Sequence, residues 1–75
     1  MPRLPTISGR EAVHAFERAG WRVARQSGSH IILRKPGIAV TLSVPNHPVV
    51  KRGTLRSLIR KAGLTIDEFV ALLEG

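Results

Sequence analysis

Between Trp21 and Val44 the chain is cut twice by turn residues, at Ser27-Gly28-Ser29 and at Pro36-Gly37, and each flanking stretch has strand character. Trp21 to Gln26 alternates, with Trp21 and Val23 on one side. His30 to Lys35 opens on a histidine and continues with Ile31-Ile32-Leu33. Ile38 to Val44 alternates most clearly, with Ile38, Val40, Leu42 and Val44 on one face and Ala39, Thr41 and Ser43 on the other. Turns this short join adjacent strands antiparallel, so the segment predicts a three-stranded meander. So small a sheet needs a cover for its apolar face.

Helices on either side supply one. Ser8-Gly9-Arg10-Glu11 is a capping box, with the Ser8 hydroxyl placed to take the Glu11 N–H and the Glu11 carboxylate to take the Ser8 N–H. The helix it opens runs to about Ala19, with Ala12, Val13, Phe16 and Ala19 on one face, and Gly20 follows as a left-handed stop. After Pro45-Asn46-His47-Pro48 ends the sheet, Thr54 is the expected cap of a second helix with Leu55, Leu58, Ile59 and Ala62 inward, stopped by Gly63. Thr65-Ile66-Asp67-Glu68 caps a short third helix with Ile66, Phe69, Val70 and Leu73 inward. The fold expected is α+β: a two-layer sandwich in the order α-β-β-β-α(-α), one domain over 1–75 with an extended segment at 1–6.

Register decides what the uncovered sheet face displays. With Ile31 and Leu33 inward, His30, Ile32 and Arg34 point out, joined by Arg22, Ala24 and Gln26 and by Thr41 and Ser43. The competing register turns His30 inward with Ile32, and the apolar run alone does not choose between them.

Charge narrows the partner. Twelve Lys and Arg against five Asp and Glu give +7, and residues 1–35 carry seven of the cations against two acids. Such a field predicts an anionic partner, nucleic acid before an acidic protein. A chain of 75 residues has little room for a deep metabolite cavity, so a shallow site for a polymer is expected. Cysteine is absent, which removes disulfides, thiolate metal sites and a cysteine nucleophile, and fits a reducing cytosol. Met1 to Pro5 has no apolar core of a signal peptide, and no apolar run is long enough to span a bilayer, so no membrane partner is expected.

His30 is the candidate chemical group. Cutting RNA takes a base for the 2′-hydroxyl, charge stabilisation at phosphate and an acid for the leaving oxygen. Histidine serves as base or acid near neutrality, and arginine binds phosphate in a fork. Arg22, Arg34 and Lys51 or Arg52 are the cations expected near it. A partly exposed strand histidine without chemistry is the alternative. His47 is either a second acid/base or a residue that satisfies backbone groups in a proline-rich loop. His14 falls on the outer face of the first helix. Lys51-Arg52-Gly53-Thr54 precedes a helix whose N-terminal amides suit a phosphate, or is a solvated loop; it lacks the glycine spacing of a P-loop. Three histidines at this spacing without cysteine make a poor zinc site.

Gly28-Ser29-His30 in a hairpin, then Val44-Pro45 and His47, then Lys51-Arg52-Gly53-Thr54-Leu55 opening a helix that ends at Ala62-Gly63-Leu64, together resemble the HicA family, mRNA interferase toxins of bacterial toxin–antitoxin systems. The likeness runs from about Ser8 to Leu73, with the motifs in matching order. Ile31 stands where members often place a polar or aromatic residue. The resemblance implies a fold like the double-stranded RNA-binding domain and a cytoplasmic endoribonuclease that cleaves mRNA, with His30 catalytic. It implies a HicB-type antitoxin bound in a hetero-oligomer, and no metal or organic cofactor. The RNA-contacting set expected is Arg22, Ser29, Arg34, Lys51, Arg52 and Thr54. Two other readings use the same basic surface: a non-catalytic RNA-binding module, and a protein-interaction module for an acidic partner.

Overall fold

Ser8 starts the first helix as its capping box requires: its hydroxyl accepts the Glu11 N–H at 3.1 Å and its own N–H donates to Glu11 Oε1 at 3.0 Å. In the computed structural model, which describes residues 3–75, that helix is α1 (Gly9–Arg18). There follow β1 (Arg22–Ser27), β2 (His30–Arg34), β3 (Leu42–Pro45), α2 (Arg52–Lys61) and α3 (Ile66–Glu74). The expected α+β order stands. Of the extended segment expected at 1–6, Met1 and Pro2 lie outside the described residues; Arg3 to Ser8 have no regular structure.

The sheet is antiparallel in the order β1-β2-β3. Ile31 pairs with Val44 and Leu33 with Leu42, and all four side chains are buried on one face. Against that face pack Ala12, Val13, Ala15 and Phe16 of α1, Leu55, Leu58 and Ile59 of α2, and Phe69 of α3. Trp21 is buried beside them, though among the described residues its Nε1 has no hydrogen-bond partner. All the helices therefore cover one side, and the other side of the sheet faces solvent. His30 and Arg34 are exposed and Ile32 is half-buried, so the outward register of His30 holds. Among the described residues no helix is long and apolar enough to cross a membrane.

Three expectations need correction. First, the third strand begins at Leu42, and residues 38–41 are unpaired. The Ile38 N–H donates to the Lys35 carbonyl in the Pro36-Gly37 turn, which takes it out of the ladder, and Ile38 and Val40 lie exposed. Second, Thr54 is inside α2 and does not cap it. The cap position is Lys51, which makes no side-chain capping bond. Val50 is buried and its N–H donates to Ile7 O at 2.9 Å, so tertiary anchoring brings the helix start forward. Third, Trp21 precedes β1, every residue of β1 is exposed including Val23, and the pairing shifts between Val23 and Arg25.

Candidate nucleic-acid interface

The turn that presents His30 is Gly28-Ser29, flanked by the Ser27–His30 pair. Gly28 has φ +58°, the left-handed value that the first position of a type II′ hairpin turn demands and glycine meets without strain. The turn is clipped from the far side of β2: the Asn46 N–H donates to Ser29 O at 2.6 Å. One residue on, the His47 carbonyl accepts the Gly9 N–H at 2.9 Å, which ties the same loop to the start of α1. Backbone bonds thus hold the position of His30 on two sides.

Among the described residues the imidazole has one hydrogen-bond contact, Nδ1 to Ser43 Oγ at 3.2 Å. Ser43 is opposite Ile32 and so diagonal to His30 on the open face. This hydroxyl can orient the ring and set its tautomer. When Nδ1–H donates to Ser43, Nε2 presents a lone pair; when Ser43 donates, Nε2 carries the proton.

The break in pairing inside β1 changes which cations stand near His30. Val23 is opposite Leu33 and Arg25 opposite Ile32, so Ala24 is the extra residue of a β-bulge. Beyond the bulge the alternation is reversed. Arg25 and Ser27 join Arg22 on the open face with His30, Ile32 and Arg34. Gln26, expected outward, is opposite buried Ile31 and lines a groove with α1 residues Arg10, Val13 and His14. Arg25 is the cation on the open face that strict alternation misses; a bulge leaves no signature in this strand’s residue types. Thr41, also expected on the face, precedes β3 and is exposed.

The remaining candidates lie elsewhere. Lys51, Arg52 and Thr54 are exposed at the start of α2, in the helical layer, and are not part of the sheet’s open face. They follow the loop that leaves the sheet at Pro45, directly opposite His30. His47 is exposed in that loop, and His14 is exposed on α1. Among the described residues no group of three or more His, Cys, Asp or Glu side chains converges to hold a metal ion. The sheet itself carries no acid: the five are Glu11 and Glu17 on α1 and Asp67, Glu68 and Glu74 on α3.

A family model described as the HicA toxin of bacterial toxin–antitoxin systems matches residues 9–64. That range includes every candidate site residue named above. No curated protein matches the chain.

Proposed function

The chain belongs to the HicA toxin family of bacterial toxin–antitoxin systems, and on that premise we propose that it is a cytoplasmic endoribonuclease that cleaves mRNA through His30. The observation that carries this reading is an exposed imidazole on the open sheet face, held at Nδ1 by Ser43 with arginines on the same face. With Nδ1–H donating to Ser43, Nε2 takes the proton of a 2′-hydroxyl. The 2′-oxygen attacks the adjacent phosphorus and the 5′-oxygen departs, leaving a 2′,3′-cyclic phosphate and a 5′-hydroxyl. No metal or cofactor is required by this scheme. Arg22 and Arg34 meet phosphate on the sheet, while Ser29 contributes from the turn and Lys51, Arg52 and Thr54 from the start of α2. His47 is the candidate donor of the proton to the leaving oxygen. The partner is a HicB-type antitoxin that covers the basic face.

Incubation of a defined mRNA with the purified protein and with His30→Ala, in EDTA, tests the reading. The wild type is expected to cleave and the variant to lose about 10²–10⁴ in rate, both with the same circular dichroism. Equal cleavage by the two proteins removes His30 from the chemistry. Salt-sensitive binding without product by the wild type selects the non-catalytic RNA-binding module instead.

A further inference from the structure

Taking the polymer to be RNA, as the ribonuclease reading has it, we propose that Arg22, Arg25 and Arg34 form a phosphate track across the open sheet face. The track holds a single-stranded stretch of RNA running from His30 toward the Pro36-Gly37 turn.

The register places the three guanidinium-bearing residues. Arg22 is directly opposite Arg34, and the bulge puts Arg25 opposite Ile32, between that pair and the Ser27–His30 pair. Directly opposed residues on one face have Cβ atoms about 4.5–5.5 Å apart, and like charges so placed repel. No acid of the sheet offsets the repulsion, since all five lie on α1 and α3. Two facing arginines with no carboxylate between them are a ready receptor for a shared anion, which each grips with a planar fork. A groove of about 340 Å³ lies at this spot, lined by Arg22, Arg34, Lys35, the Pro36-Gly37 turn and Ile38.

The spacing sets the substrate. Arg34 is four residues along β2 from His30, about 13 Å in an extended strand. It therefore meets a different phosphate from the one under His30, with Arg25 between. Half-buried Ile32 gives the middle of the face an apolar floor for a base. Attack of a 2′-oxygen in line with its leaving group requires a sugar–phosphate unit released from helical stacking, which favours a single strand over a duplex.

Binding is measured by fluorescence anisotropy with a fully 2′-O-methylated oligoribonucleotide. It lacks the attacking hydroxyl, so binding is read whether or not the protein is a nuclease. Arg22→Gln, Arg25→Gln and Arg34→Gln are each expected to weaken binding about three- to tenfold and to lower the slope of log K against log salt by about 0.7. Arg60→Gln on α2 is the control, with the slope unchanged. Arg22→Gln and Arg34→Gln are also expected to raise the Tm of the free protein, because each relieves the facing charges. Wild-type affinity and slope in all three variants would overturn the track and the assignment of Arg22 and Arg34 to phosphate, while cleavage through His30 is read separately from the His30→Ala assay. Tighter binding of the corresponding 2′-O-methylated duplex would overturn the single-strand assignment. Failure of the wild type to bind either form at low salt would sink the ribonuclease reading itself.

Discussion

Ser43 is an ordinary strand serine by sequence, yet it supplies the side-chain hydrogen bond to His30, at 3.2 Å. In the ribonuclease reading proposed above, Ser43 is a positioning residue that acts through the imidazole. Ser43→Ala is expected to lower kcat about tenfold with KM nearly unchanged, because loss of orientation weakens the transition state more than the ground state. Ser43→Thr, which keeps the hydroxyl, should restore most of the rate. A lower urea midpoint with kcat intact would instead assign Ser43 to folding alone. Among the candidates, His30 and its glycine turn were legible because the turn chemistry is local. Arg25 was not, because the bulge at Ala24 depends on how β1 pairs with β2.

At the scale of the elements, capping boxes were readable and the start of α2 was not. Ser8 and Thr65 each close a reciprocal pair of bonds within three residues, so local chemistry suffices. Thr54 offered only a capping hydroxyl, with Ser57 and no Glu or Gln three residues on, and the burial of Val50 overruled it. Gly9 is a sharper case of tertiary context. It opens α1, is buried, and a Cβ there would collide with the Pro45 carbonyl and lie 3.0 Å from Asn46 Cα. Helix propensity alone predicts that Gly9→Ala stabilises by up to about 1 kcal/mol. The packing predicts the opposite sign, a loss of about 1–3 kcal/mol, read as a lower urea midpoint at unchanged m-value. A gain in stability would show that the loop at Pro45 yields. That loop faces His30 across the sheet, so the variant should also cleave more slowly when fully folded.

For the whole molecule, the constraint is size. A chain of 75 residues is only marginally stable, and its core depends on a few large side chains such as Trp21, Phe16 and Phe69. The Phe16 and Phe69 rings meet at 5.1 Å between centroids, Arg18 Nη1 donates to Leu72 O at 2.7 Å, and Ile66, Leu72 and Leu73 pack on the core, so α3 is docked by these contacts together. Phe69→Ala is expected to cost about 3–5 kcal/mol, enough to unfold much of the protein at 37 °C, whereas Phe69→Leu should cost less and remain folded by circular dichroism. Equal Tm for Phe69→Ala and wild type would show that α3 does not support the core. By itself the sequence determined the element order, the two capping boxes, the apolar stripes and the basic surplus, because each depends on residue types a few positions apart. The tertiary structure decided the outward register of His30, the bulge that brings Arg25 beside it, the short β3 and the early start of α2. Those follow from which backbone groups pair across the sheet and which side chains the helices can cover, and both are relations between residues distant in the chain.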